Sequence, residues 1–369
     1  MAHLLPNTKG AVDAEIKHLT LARNKTPLRQ MTKEDALPPE QKGAFAWYGP
    51  GMAAQQNRWL AVLSSAEIAE LEKAAEKAAG KDIATLTPAD FLLPLLGPKL
   101  QKLKNDLLHG PGFGVLRGLP CNNLSEREAG TIFYGLGTHL GSSRSQNAQG
   151  HTLGHVRDMG LKSDNANVRI YQTSERQTFH TDSSDVVALL CLKKAKLGGR
   201  SLLVSAYTIF NEMRRRRPDL LHLLMQPVAT DRRGEVPTGM LPYFLIPVFS
   251  YYKGFLTVMY QRQYIQSAQR FEEAPRLTPR HTEALDMFDS LANSAELNFS
   301  MQLEEGDMQF VYNHALLHDR TAFENWPDEE RKRHLLRLWL SVPGDRPLPD
   351  VFASRFGTVE PGNRGGISA

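Results

Sequence analysis

The chain has 369 residues, of which 41% are hydrophobic and 23% charged, with a formal net charge of +4. That balance is ordinary for a soluble globular protein. It argues against a dedicated nucleic-acid binder, which concentrates basic residues in a stripe, and leaves room for small anionic ligands. No stretch approaches the length of a membrane span and the N-terminus has no apolar signal core, so the expectation is a cytoplasmic protein without a membrane partner. Cys121 and Cys191 are the two cysteines, and their apolar surroundings read as buried thiols rather than a disulfide framework.

Residues 1 to about 45 are polar and rich in Lys, Pro and Gln, and read as an arm. Ser64 and Glu67 form a capping-box pattern ahead of a helix over 66–79 that stops at Gly80. Thr87-Pro88 predicts a second helix start. A strand over 113–119 follows, and then a helix capped by Ser125 and Glu128 that runs to about Leu140. From Val168 onward the pattern turns to strands, over 168–173, 186–193 and 201–204. A helix over 207–216 ends before Pro218, and strands return over 245–249 and 254–260. A helix over 282–294 precedes strands over 309–312 and 334–342, and the Pro/Gly-rich tail reads as loop or disorder. The organisation expected is an arm with a helical extension over 1–85, a main domain over 86–345 and a tail over 346–369. Two groups of strands around an inserted helical stretch suit an α+β fold built on a double-stranded β-helix, a jelly roll, with flanking helices.

The segment that carries chemistry is His180-Thr181-Asp182, beside the apolar run 186–192. Residues two apart on a strand share a face, so an imidazole and a carboxylate at this spacing can grip one metal ion. A distant histidine would complete a two-histidine, one-carboxylate facial set, a donor group suited to Fe(II). Downstream lie Asn313-His314-Ala315-Leu316-Leu317-His318-Asp319-Arg320 and Arg333-His334-Leu335-Leu336-Arg337-Leu338-Trp339-Leu340. An isolated histidine is more often a hydrogen-bonded core or surface residue than a ligand; the order of the motifs is what carries weight.

With Gly198-Gly199-Arg200-Ser201 between them, these motifs resemble the taurine dioxygenase (TauD/TfdA) family of Fe(II)/2-oxoglutarate oxygenases, over roughly residues 110–345. The resemblance implies a jelly-roll fold and metal ligands His180, Asp182 and His318. His314 competes for the third position, and the family's ligand-x-Arg pattern favours His318. It also implies that Arg337 clasps the distal carboxylate of 2-oxoglutarate, with Ser201 as a hydroxyl partner and Arg333 touching cosubstrate or substrate. Alternation places Arg333, Leu335, Arg337 and Trp339 on one strand face, and two arginines on an apolar face call for anions. The cofactors implied are Fe(II), 2-oxoglutarate and O2.

The reaction implied is oxidation of an unactivated C–H bond, by hydroxylation, desaturation or ring closure, with release of succinate and CO2. The substrate expected is a small, acid-bearing molecule, with Arg176, Tyr171, Gln146 and Asn147 as candidate contacts. A homo-oligomer is compatible with the sequence. Two rival readings use the same residues: a zinc-type hydrolase or isomerase, which would not need Arg337, and a non-catalytic small-molecule binder.

Overall fold

The computed structural model describes residues 36–162 and 168–367. Most of the expected N-terminal arm lies outside the described residues, and the fold below is that of the body from Pro39 onward. Two capping boxes form as the sequence predicts. Ser64 accepts from the Glu67 amide and the Glu67 carboxylate returns to Ser64, opening helix Ser65–Lys77. Ser125 and Glu128 do the same for helix Glu126–Thr138. In that second helix Gly135 faces the Phe91 ring so closely that a Cβ would lie 2.4 Å from it, which lets the helix sit directly on the core.

Eleven strands build the two main sheets: β1 (Leu60–Val62), β2 (Phe113–Arg117), β3 (Ser142–Ser143), β4 (Leu153–Arg157), β5 (Gln177–His180) and β6 (Val186–Lys193); then β7 (Ser201–Ser205), β8 (Asn298–Met301), β9 (Met308–Tyr312), β10 (Leu316–Arg320) and β11 (His334–Ser341). The larger sheet runs β1-β2-β9-β6-β11-β3, with β4 also paired to β11. The smaller runs β8-β7-β10-β5. Phe113, Val187 and Trp339 from the large sheet and Leu203, Phe299 and Leu316 from the small one share a single buried cluster. The result is a jelly roll with flanking helices. β6 is buried on both faces, which explains why its sequence is a continuous apolar run rather than an alternating one.

Three local expectations differ from the structure. No helix starts at Thr87-Pro88. Asp90 accepts from the Thr87 amide and hydroxyl to close a turn, and Pro94 would break a helix begun there. The helix starts instead at Gly97 and runs to His109. The strand expected over 168–173 is a short 3-10 turn, Ile170–Gln172, with the Thr173 hydroxyl donating to the Ile170 carbonyl. Cys121 is only partly buried, although both thiols are free as expected.

The tail is the largest departure. Phe352 and Phe356 pack with Leu348 against Phe244 and Ile246. Arg364 is fully buried. Its guanidinium donates to Asp185 and Asp345 at 2.7 Å each, and to the Arg346 carbonyl at 2.8 Å. His314 Nε2 lies 2.8 Å from Asp185 in the same knot. A run of Pro and Gly looks unstructured because its turns bury few apolar side chains of their own; one buried arginine fixes it through charge.

Arg364→Ala leaves two acids buried without their cation. We expect a loss of about 3–5 kcal/mol in urea unfolding. Burial lowers the His314 pKa, with Asp185 and Asp345 opposing, so the folded state resists protonation there. The unfolded histidine titrates near about 6.5. This stability is therefore full above that pH and falls as pH drops below it. Asp185 is also held below the ordinary carboxylate range: burial opposes its charge, and His314 and Arg364 outweigh it. Its contribution is lost only at lower pH. The fall in unfolding midpoint between pH 7.5 and 5.5 should be smaller in His314→Gln than in the parent.

Candidate active site

β5 ends at His180 and β6 begins at Val186, and the link between them carries Asp182. Asn313 holds that link: its side-chain carbonyl accepts from the Asp182 amide at 3.1 Å, and its amide donates to the Ser184 carbonyl at 3.0 Å. On the neighbouring strand β10, His318 is in register with His180. The ring centroids of the two histidines are 4.1 Å apart. His180 Nε2 lies 3.9 Å from Asp182 Oδ1, and His318 Nε2 lies 3.8 Å from Asp182 Oδ2. Three donor atoms from three residues thus fall within 4.8 Å of one another. His314 is not among them, because it faces Asp185 and Asp345 in the knot.

The donor set fits a divalent cation. His180 Nδ1 donates to the Thr178 carbonyl at 2.8 Å, which leaves the lone pair on Nε2, where it accepts from Gln177 Nε2 at 2.8 Å beside Asp182. Burial holds the His180 pKa down, and burial with the neighbouring His180 and Arg337 charges pushes His318 down to about 3. Both rings are therefore neutral. Burial opposes the charge of Asp182, but Arg337 and the two histidines outweigh it and keep the carboxyl ionised. Trp339 Nε1 also donates to Asp182 Oδ2 at 2.8 Å and fixes its orientation. One carboxylate and two neutral imidazoles in a dry pocket suit Fe(II) and leave further coordination positions open.

Two cavities meet at this triad, sharing Tyr171, Gln177, His180, Asp182 and Arg337. The inner one reaches Ser201, Leu303, Arg320, Arg333 and Leu335. The outer one reaches Arg169, Arg232, Tyr264 and Arg355. A larger cavity of about 710 Å³, beside Glu126 and His334, does not include the triad.

At the far end of the inner chamber Ser201 donates to Gln309 Oε1 at 3.0 Å. Arg333 is 5% exposed, and its Nη1 is buried with no partner among the described residues. The Gly198-Gly199 turn makes room for it: Gly199 has φ +66, and a Cβ there would lie 2.9 Å from Arg333 Nε. Arg320 and Arg333 both pack on the Phe323 ring. Burial pushes Arg333 down to about 10, and burial with the Arg333 charge pushes Arg320 down to about 9.

Arg337 is placed differently. Its guanidinium lies between the Tyr171 and Trp339 rings, at 4.7 and 4.9 Å. Its Nε donates to Gln146 Oε1 at 2.6 Å and its Nη1 is 3.7 Å from Asp182. Gln146 is thus a buried holder of Arg337 rather than a wall of either chamber. Asn147 closes its own loop by accepting from the Gln149 and His151 amides. Arg176 turns to Asp319, at 2.6 and 3.0 Å, and to Asn293 at 2.6 Å, and lines neither chamber. Tyr171 is the one residue of the four candidate contacts that lines both. Sequence reading missed Arg169, Arg232, Tyr264 and Arg355, which come from segments that carry no motif.

Trp339→Phe removes the donor that orients Asp182 while keeping most of the packing. Divalent-metal affinity should fall by roughly 10–100-fold, as for other residues that orient a ligand. Anaerobic Co(II) titration of the parent and variant measures this. Unchanged affinity would mean that Trp339 serves packing alone.

Residues 79–339 match the model for the "Taurine catabolism dioxygenase TauD, TfdA family". The chain is 34% identical over 306 residues to FR-33289 synthase of Streptomyces rubellomurinus (strain ATCC 31215), covering 81% of this chain and 89% of that one. It is 30% identical over 304 residues to the taurine hydroxylase-like protein SAT17 of Stachybotrys chartarum, covering 80% and 78%. In fold it is similar to asparagine oxygenase in complex with Fe(II), hydroxyasparagine and succinate, with a TM-score of 0.60 and 19% identity over 77% of this chain and 93% of that one. It is likewise similar to the non-heme iron oxygenase OrfP in complex with Fe and alpha-ketoglutaric acid, with a TM-score of 0.58, 15% identity, and coverage of 76% and 93%. With the motifs in their order and the family model spanning most of the fold, this chain belongs to the TauD/TfdA family of iron(II)- and 2-oxoglutarate-dependent dioxygenases.

Proposed function

We propose that His180, Asp182 and His318 hold the iron, and that Arg333, not Arg337, anchors the distal carboxylate of 2-oxoglutarate in the inner chamber with Ser201. The observation that carries this reading is the buried, unpartnered Nη1 of Arg333 at the Ser201 end of a cavity whose other end is the triad. A guanidinium in a dry site is stable only beside an anion, and its planar fork matches a carboxylate. Arg337 fits the distal role less well. It already donates to Gln146 and stands 3.7 Å from a proposed metal ligand, whereas the distal carboxylate lies several bonds from the metal-binding end. Four residues along a strand separate the two arginines by roughly 13 Å of backbone. This reverses the roles that the motif alignment assigns to the pair.

When bound together, iron(II) and 2-oxoglutarate would supply the means for O2, the four-electron oxidant, to decarboxylate the cosubstrate oxidatively and to oxidise a substrate C–H bond, with succinate and CO2 released. The chain's own residues bind, orient and exclude water. Leu189, Leu303 and Leu335 wall the inner chamber and keep it apolar between its charged ends. Asn313 and Trp339 hold Asp182 in place. Arg337 offsets the Asp182 charge and stands where the two chambers meet. The substrate is a small, acid-bearing molecule that enters the outer chamber.

Arg333→Ala should weaken 2-oxoglutarate binding by roughly 30-fold to several thousand-fold, since truncating one partner of a buried charge pair costs about 2–5 kcal/mol. Arg333→Lys should recover part of it, because an ammonium cannot form the two-pronged bond. Arg337→Ala should change this affinity less. Anaerobic titration of the Fe(II) enzyme with 2-oxoglutarate, followed by its visible charge-transfer band, separates the two. A larger loss in Arg337→Ala than in Arg333→Ala would return the anchor to Arg337.

A further inference from the structure

We infer that the outer chamber binds a dianionic oxyanion, a phosphonate or phosphate-ester group of the substrate, through Arg232 and Arg355 with Arg169 beside them. This rests on the proposed function above, which makes the outer chamber the substrate side.

Four arginines line the outer chamber, Arg169, Arg232, Arg337 and Arg355, against two carboxylates, Asp182 and Asp231. Both carboxylates are committed. Asp182 belongs to the proposed metal triad. Asp231 accepts from the Ser267 hydroxyl and the Arg233 amide, and pairs with Arg270 at 3.2 Å. Arg337 offsets Asp182, and Arg169 is ion-paired with Glu235.

Arg232 and Arg355 remain, and their hydrogen bonds go to neutral groups. Arg232 donates to the Leu241 carbonyl at 3.0 Å and the Ser354 carbonyl at 2.5 Å. Arg355 Nε donates to the Ser183 hydroxyl at 2.7 Å. Both guanidinium groups lean on the Phe244 ring, at 5.4 and 5.5 Å. Glu235 also attracts Arg355, but it is already paired with Arg169, and burial pushes its own pKa up.

Two cations that have no ion-paired carboxylate of their own among the described residues, in one largely enclosed chamber, are costly unless a ligand brings the charge. The strain registers at Arg355: burial first, then repulsion from Arg169 and Arg232, pushes its pKa down to about 10. A single carboxylate would neutralise one of the two. A tetrahedral dianion neutralises both and offers three oxygens to their forks. Ser183 also lines the chamber, and a hydroxyl can donate to the same group. Ser183 lies one residue beyond Asp182, so an anion held here keeps the rest of the substrate beside the metal triad.

The test is calorimetric titration of the anaerobic enzyme, loaded with Fe(II) and 2-oxoglutarate, with methylphosphonate, methyl phosphate and acetate. We expect both dianions to bind at least about tenfold tighter than acetate, and the tighter of the two to identify the substrate's phosphorus linkage. Arg355→Gln and Arg232→Gln should each lose at least about tenfold for the dianions, and Arg355→Lys should lose less. Both Gln variants should keep parental 2-oxoglutarate affinity and thermal midpoint, which separates a lost anion site from a lost fold. Equal binding of acetate and the dianions, or full dianion binding in both Gln variants, overturns the inference while leaving the iron and 2-oxoglutarate assignments intact. Failure of the parent enzyme to bind 2-oxoglutarate at all overturns those assignments, and the inference with them.

Discussion

The site depends on keeping one carboxylate charged where water is largely absent. Asp182 is buried at the junction of two sheets, where a lone acid would take up a proton and lose its value as a ligand. The chain prevents this by surrounding it. Arg337 supplies the opposing charge, Trp339 a neutral donor, and burial holds the two imidazoles neutral. Arg337 in turn needs Gln146 and two aromatic faces to stay in position. Much of the β11 face therefore serves a single oxygen pair, which is why its polar residues sit on an otherwise apolar strand.

The same logic recurs at two other places, with different outcomes. At Asp185 and Asp345 the opposing cation is internal, Arg364, and the result is a closed structural knot. At Arg333, and at Arg232 with Arg355, no ion-paired carboxylate is found among the described residues, and each lines a cavity. Buried charge that is satisfied within the chain stabilises the fold. Buried charge that is left unsatisfied describes a ligand by its complement.

The parts legible in the sequence were those governed by short-range rules. Capping boxes at Ser64 and Ser125 depend on four adjacent residues, and the doubly buried β6 announces itself as an apolar run. The grouping of His180, Asp182 and His318 was legible because His-x-Asp is a local pattern and β10 brings His318 into register opposite it. The different surroundings of Arg333 and Arg337 were not, because alternation puts both on one face and only depth along the strand separates them. The pairing of Arg176 was not legible because its partner Asp319 lies 143 residues away. The tail was misread for the same reason: composition signals local disorder, and the contact that orders it is non-local.

That tail has a consequence for the order in which the protein is made. Asp185 is synthesised 179 residues before Arg364, the cation that satisfies it. Until that arginine leaves the ribosome, the nascent chain carries Asp185 without its guanidinium partner, three positions from Asp182. The barrel strands can pair beforehand, yet the loop between β5 and β6 stays electrostatically open. The same C-terminal segment carries Arg355 to the outer chamber, so both contacts wait on the last part of the chain to be translated. A chain that stalls before that segment has Asp185 and Ser183 in place without the two arginines that bond to them.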